Sequence, residues 1–162
     1  MPKKKDKIHI AYYLGRKKDN PKTTWLDRVI CFFSGSKYSH IEIVFDYDTV
    51  THTGEAWSTS PRDDGVRSKI INFGNGHWEV YEHQPLYPIS VDTTRAILKN
   101  YLGYKYDYFG ALGSLFSFLP DSQKRIFCTE LCGVALGVAN SHRMTPGEFY
   151  KKLQAIGQKR VL

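Results

Sequence analysis

Long apolar runs are absent from this sequence of 162 residues. The longest aliphatic and aromatic stretch, Phe109–Pro120, is too short to cross a bilayer as a helix, which takes about 20 apolar residues. The N-terminus is basic, but the run that follows it, Ile8–Leu14, lacks the apolar length of a signal peptide. These absences predict a protein that is synthesised in the cytoplasm and has no transmembrane segment.

Cysteine is scarce in the sequence. Cys31, Cys128 and Cys132 form an odd set, so we expect a reducing compartment rather than a disulfide framework. No CxxC pair accompanies a pair of histidines at zinc-ligand spacing, which argues against a structural zinc site. We therefore expect no metal and no other cofactor.

Acidic residues are outnumbered by basic ones. The chain has 23 Lys and Arg against 16 Asp and Glu, a formal net charge of +7. The excess lies in a basic N-terminal tail (1–7), in Arg16–Lys18 and near the C-terminus, where residues 157–162 are expected to form a second tail. This distribution, without an aromatic-interleaved motif, does not predict a nucleic-acid partner. It suits an anionic polymer or an anionic membrane surface.

The order of the predicted elements indicates a single α+β domain over residues 1–162, with an antiparallel sheet packed against helices. Strands and one early helix occupy the first half of the chain, and helices occupy the second half. The predicted strands are Ile8–Leu14, Tyr38–Phe45, Val50–Ser58, Val66–Phe73 and Trp78–His83, and the predicted helices are Trp25–Phe33, Ser90–Leu102, Cys128–Asn140 and Thr145–Ile156.

Two of these helices carry apolar residues that we expect to face the core. Cys31 lies within the first of them and is predicted to be a packed core residue. The apolar residues are Trp25, Val29, Phe32 and Phe33 in the early helix, and Leu131, Val134, Ala135 and Val138 in the later one.

Cys128 lies in the first turn of a predicted helix, where unsatisfied backbone N–H groups and the helix dipole favour an anion. A thiolate is the form that a nucleophilic cysteine requires, so this position is typical of a reactive thiol. The alternative is a small buried hydrophobic residue, which is the commoner role of a free cysteine.

A nucleophilic cysteine needs an imidazole and a polar group that orients the imidazole. His40 is the best candidate imidazole, because it lies on a predicted strand whose alternate residues Ile41 and Ile43 face the core. His52, on the next predicted strand, is the rival. Glu42, Glu55 and His52 are all candidates for the orienting group.

Four segments together resemble the circularly permuted branch of the NlpC-type, papain-like superfamily, which includes the YiiX-like and the lecithin:retinol acyltransferase-like proteins. The similarity runs from about Tyr38 to Gly137 and places the histidine before the cysteine. A further segment, Ser60–Arg67, resembles small bacteriophage-encoded members. The four segments are Ser39–Phe45 (SHIEIVF), Glu55-Ala56, Gly103–Asp107 (GYKYD) and Phe127–Leu131 (FCTEL).

The resemblance implies Cys128 as the nucleophile, His40 as the base and Glu55 as the acidic third residue. Two positions depart from the pattern. Glu42 stands where the motif usually has a small residue, and His52 has the approximate spacing of the second histidine found in the acyltransferase-like branch. The third position therefore stays open among Glu55, His52 and Glu42.

The expected function is that of a cysteine peptidase, amidase or acyltransferase that cleaves an amide, ester or thioester bond in a cell-wall peptide or a lipid acyl substrate. The alternative is a catalytically silent structural or binding module, for instance a phage virion component. In a phage, virion proteins would be partners and the protein would be packaged in the particle.

Overall fold

The computed structural model describes residues 7–15, 24–84, 89–108, 111 and 124–162. The basic runs at residues 3–5 and 16–18, and most of the apolar stretch Phe109–Pro120, lie outside these described residues. Within the described part of the chain, no helix is both long enough and apolar enough to cross a membrane.

Strands and helices follow the predicted order, and the domain is α+β. Helix ends lie where local signals place them. Thr24 and Asp27 form a capping box at the start of α1, and Gly35 ends that helix in the left-handed conformation. The elements are β1 (His9–Leu14), α1 (Trp25–Ser34), β2 (Tyr38–Asp48), β3 (Thr53–Ser60), a 3₁₀ turn (Pro61–Asp63), β4 (Gly65–Asn72), β5 (Trp78–Glu82), α2 (Val91–Asn100), β6 (Lys105–Tyr106), β7 (Arg125–Ile126), α3 (Cys128–Leu136), a second 3₁₀ turn (Ser141–Arg143), α4 (Pro146–Gln154) and β8 (Lys159–Arg160).

Six strands form one antiparallel sheet in the order β4-β3-β2-β1-β5-β8, and β6 and β7 form a short parallel pair. The two faces of the sheet bury different clusters. Ile41 and Ile43 of β2 pack with Leu131 of α3, whereas Val44 packs with Ala11 and other residues of the opposite face. Alternation along β2 therefore places His40 and Glu42 on the face opposite to Ile41 and Ile43, as predicted.

The start of β2 is open on the side of β3. Pairing between β2 and β3 begins at Ile43, opposite Trp57, while His40 pairs with Tyr13 of β1 on the other side. Ser58 contributes a side-chain bond here, because its hydroxyl donates to the Ile41 carbonyl over 2.7 Å. Helix α3 packs against both β2 and β3, which brings the start of α3 close to the start of β2.

Two predictions about packing and one about a helix end were wrong. In α1 the buried residues are Leu26, Ile30 and Cys31, whereas Trp25 is 70% exposed, Phe32 74% and Phe33 56%. In α3 Val134 is exposed although Leu131 and Ala135 are buried as predicted. Helix α3 also ends earlier than expected, at Leu136, because Gly137 adopts the left-handed conformation.

Two segments near strand ends also differ from expectation. His52 lies in the turn that precedes β3, with a positive φ of 54°, rather than on the strand itself. The C-terminal residues, expected as a tail, form strand β8, which pairs with Tyr81 and Glu82 of β5. At the other end Lys7 bonds Glu82 over 2.9 Å.

We expect Gly133→Ala to destabilise the fold. A Cβ at Gly133 would overlap both Cβ and Oγ of Ser141, and an overlap with Cβ cannot be relieved by rotating the serine side chain. The cost of overpacking, about 1–3 kcal/mol, should exceed the gain of about 1 kcal/mol from replacing a helical glycine. Urea unfolding measures the change, and adding Ser141→Gly should recover most of the loss. Equal stability of the single variant and the wild type would contradict the packing of α3 on this turn.

Candidate active site

Cys128 is the first residue of α3. The N-cap residue Phe127 offers no side-chain acceptor to the first-turn N–H groups, so the positive end of the helix dipole points at the residues around the thiol. The side chain is buried, with 4% exposure, and packs in the same cluster as Ile41. The sequence predicted this helix start, and the structure confirms it.

His40 lies beside Cys128 and Glu42. Its Nε2 is 2.9 Å from Oε1 of Glu42, which leaves Nδ1 as the ring nitrogen available to the thiol. Burial alone would lower the pKa of His40, but hydrogen bonding with Cys128, the charge of that sulfur and the bond to Glu42 outweigh it and raise the pKa to about 9. The imidazole is therefore held in its charged form, between two groups that are anionic when ionised.

Glu42 is a buried carboxylate, with its side chain 1% exposed, and it is neutralised by an arginine. Both terminal nitrogens of Arg67 on β4 donate to it, one of them over 2.6 Å to Oε2. Burial would raise the pKa of Glu42, but the charge and hydrogen bonds of Arg67, together with His40, lower it to about 2. Arg67 is in turn anchored by Asp63, which accepts from its Nε over 2.8 Å.

The other two candidates for the third position are placed elsewhere. Glu55 accepts from the Trp57 indole over 2.8 Å and pairs with Arg95 over 2.7 Å. Its cross-strand partner is Phe45, so it lies on the sheet face opposite to His40. His52 bonds the Tyr47 hydroxyl over 3.1 Å. Of the three candidates, Glu42 is the one that the structure brings to His40.

A cavity of about 280 Å³ opens over His40 and Glu42. Its wall combines aromatic side chains, among them Tyr13 and Trp78 from the sheet and Trp25 from α1, with polar and charged ones. Among the described residues, Cys128 is not part of this wall, so the imidazole is the part of the Cys–His pair that the cavity reaches. The charged groups in the wall are paired: Arg62 lies 3.1 Å from Asp27, and Lys69 lies 3.0 Å from Asp63.

The remaining two cysteines lie in different surroundings. Cys31 is fully buried in α1, as predicted. Cys132 lies one turn after Cys128 on α3, where burial raises the pKa of its thiol well above the ordinary value. Among the described residues, no group of three or more His, Cys, Asp or Glu side chains is arranged to hold a metal ion.

Sequence reasoning missed Arg67 as part of this site. Two signals pointed to it. A glutamate on a strand with apolar neighbours requires a cation if it is buried, and Arg67 closes the Ser60–Arg67 segment that resembles phage-encoded proteins. Without the strand order, however, Arg67 was one of several basic residues that could have met Glu42.

The chain matches no family model, no curated protein and no solved structure. The case for a function therefore depends on the geometry of the site and on the resemblance of its motifs.

The pKa shifts of Glu42 and His40 predict that the fold loses stability in two pH ranges, one acidic and one alkaline. Glu42, with a pKa lowered to about 2, should stabilise the fold above its ordinary value and lose that contribution as the pH falls toward 2. His40, with a pKa raised to about 9, should contribute fully below its ordinary value of 6.5 and lose the contribution as the pH rises through 9.

Melting temperatures of the wild type, Glu42→Gln and His40→Asn between pH 2 and 10 test both losses of stability. The difference in melting temperature between the wild type and each variant removes the contributions of His9 and His83. Burial lowers the pKa of each of these two histidines to about 4. A wild-type minus His40→Asn difference that stays constant from pH 6.5 to 9 would contradict the charged imidazole.

Proposed function

We propose that the protein is a cysteine-dependent hydrolase or acyltransferase in which Cys128 is the nucleophile, His40 the acid and base, and Glu42 the residue that orients His40. The bond attacked is an amide, ester or thioester of a cell-wall peptide or lipid acyl substrate. The observation that carries the proposal is the sequence of contacts from Cys128 at a helix start, through His40, to a buried carboxylate. The permuted NlpC-type fold, with the histidine before the cysteine, is part of the same proposal.

The proposed reaction starts from the thiolate–imidazolium form of the pair. The Cys128 thiolate attacks the carbonyl carbon, and the electron pair of the C=O bond moves to oxygen. The imidazolium of His40 then gives its proton to the leaving group as the bond to that group breaks, which leaves a thioester on Cys128. Water or another acceptor next gives a proton to His40 and attacks the thioester, and the sulfur leaves as a thiolate.

The start of α3 also supplies a donor for the developing oxyanion. The backbone N–H of Cys128 lies at the positive end of the helix, and the cap residue Phe127 provides no competing side-chain acceptor. This donor is part of the helix itself, so it needs no reorganisation during the reaction.

One observation favours a second function, that of a silent binding or structural module. The Cys128 side chain is only 4% exposed and does not line the cavity among the described residues. A substrate must therefore reach a largely covered sulfur, whereas a binding module would need only the aromatic cavity.

Alkylation of the native protein separates the two functions. We expect iodoacetamide at pH 6 to modify Cys128 faster than Cys31 and Cys132, because His40 supplies an imidazolium beside Cys128 and burial raises the pKa of the Cys132 thiol. The two other cysteines are matched controls, since all three thiols are buried. Peptide mass spectrometry reports each site. His40→Ala should slow the modification of Cys128 at least about tenfold. Equal rates at the three cysteines would leave the binding module as the better function.

Substitution of the two acidic candidates distinguishes the third residue. Glu42→Gln should reduce formation of the acyl-enzyme on Cys128 by about 10²–10⁴-fold, as expected when the group that orients a catalytic imidazole is neutralised. Glu55→Gln should have little effect, because its partners are Trp57 and Arg95. Acylation by a chromogenic ester is followed by the burst of released alcohol. A large loss in Glu55→Gln, with Glu42→Gln active, would assign the role to Glu55 instead.

A further inference from the structure

Arg67 links the Glu42 carboxylate to the turn between β3 and β4. Its two terminal nitrogens hold both oxygens of Glu42, and its Nε bonds Asp63 of the 3₁₀ turn. Asp63 also accepts from Lys69. Because the planar guanidinium of Arg67 donates from both terminal nitrogens, it holds the carboxylate in one orientation and keeps it ionised.

We propose that Arg67 is a positioning residue: it keeps Glu42 ionised and aims the carboxylate at His40, so that the proton shared by the two groups stays on the imidazole. This inference rests on the proposed function, because it assigns Arg67 a part in that reaction.

Two donors share one oxygen of Glu42, and this explains why the orientation of the carboxylate matters. Oε1 of Glu42 accepts from both Arg67 and Nε2 of His40, so a carboxylate that rotates away from one loses the other. Glu42 is almost completely buried, and without the charge of Arg67 its burial would favour the protonated carboxyl, with the bond to His40 left to oppose it. A protonated Glu42 would no longer stabilise an imidazolium. The shared proton would then lie on Glu42 and not on His40.

Other ionisable groups near the pair do not replace Arg67. Two further cations line the cavity, but Lys69 is bonded to Asp63 and Arg62 to Asp27. Among the described residues, Glu42 therefore has two cations in contact with it, His40 itself and Arg67. The charged and titratable groups that face the pair are Arg67 and Lys69 of β4, Asp63 and Arg62 of the 3₁₀ turn, Cys128 and Cys132 of α3, Tyr13 of β1, Asp27 of α1, Tyr106 of β6 and Tyr108.

Carbon-13 NMR of the glutamate carboxyl groups tests the effect on charge. The chain has six glutamates, so the Glu42 resonance can be assigned by its loss in Glu42→Gln. In the wild type Glu42 should titrate near pH 2. In Arg67→Met it should titrate at least about one pH unit higher, a tenfold change in proton affinity, because His40 alone then opposes the effect of burial. Arg67→Lys, which keeps the charge, should restore most of the ionisation.

The rate of Cys128 alkylation tests the effect on position. Arg67→Lys cannot form the two-nitrogen fork, so it should remain at least about threefold slower than the wild type even at a pH where Glu42 is ionised. In Arg67→Met the acid limb of the alkylation profile should move to higher pH together with the Glu42 titration. If Arg67 had only a structural role, replacing it would not move the acid limb of the alkylation profile, and that limb would not follow the titration of Glu42.

Arg95→Met is the matched control, because Arg95 pairs with a carboxylate, Glu55, that does not contact His40. It should leave both the Glu42 titration and the alkylation profile unchanged. If Arg67→Met does not fold, the double variant Glu42→Gln/Arg67→Met removes the buried charge as well. Its His40 should then titrate as in Glu42→Gln alone, since Arg67 acts through Glu42.

The proposal is overturned if Glu42 in Arg67→Met titrates as in the wild type, or if the double variant shifts His40 by a full pH unit relative to Glu42→Gln. Failure of the proposed function looks different. It would show as a wild type that forms no acyl-enzyme and whose Cys128 is no more reactive than Cys132, whatever the titration of Glu42.

Discussion

A carboxylate buried within a β-sheet is the constraint on which this candidate site depends. An uncompensated buried charge costs several kcal/mol, so Glu42 requires both its arginine and its histidine. Arg67 comes from β4, and in the sheet order β3 separates β4 from β2. Arg67 is paired with Ser58 of β3, a small residue that the long arginine side chain can cross to reach Glu42.

The features that the sequence predicted well depend on contacts between residues close in the chain. Both ends of α1 and the start of α4 lie within one residue of the predicted bounds, because the capping boxes at Thr24 and Thr145 and the glycine that ends α1 each involve groups three or four residues apart. The start of α3 at Cys128 and the shared face of His40 and Glu42 are equally local, since the first follows from helix periodicity and the second from strand alternation.

The features that could not be predicted depend on which elements meet. Helical periodicity identifies a stripe in α1 but not which side is covered, and Leu26 and Ile30 pack with Tyr106 and Phe127 while the larger aromatic residues of the helix stay exposed. The third residue of the site could not be predicted for the same reason. Glu55 is opposite Phe45 in the β2–β3 register, and that register places it on the face away from His40. Neither the register nor the approach of β4 is visible in the spacing of residues along the chain.

The two acidic groups beside His40, Cys128 and Glu42, suit the two halves of the proposed reaction. Cys128 gives the strongest upward effect on the pKa of His40, and Glu42 gives a weaker one, while burial opposes both. Acylation turns the thiolate into a neutral thioester and so removes the stronger effect. The pKa of His40 must then fall, which converts the group that donated a proton to the leaving group into one that accepts a proton from water. Glu42, held by Arg67, keeps the imidazole oriented throughout, so one change of charge at sulfur switches the histidine from acid to base.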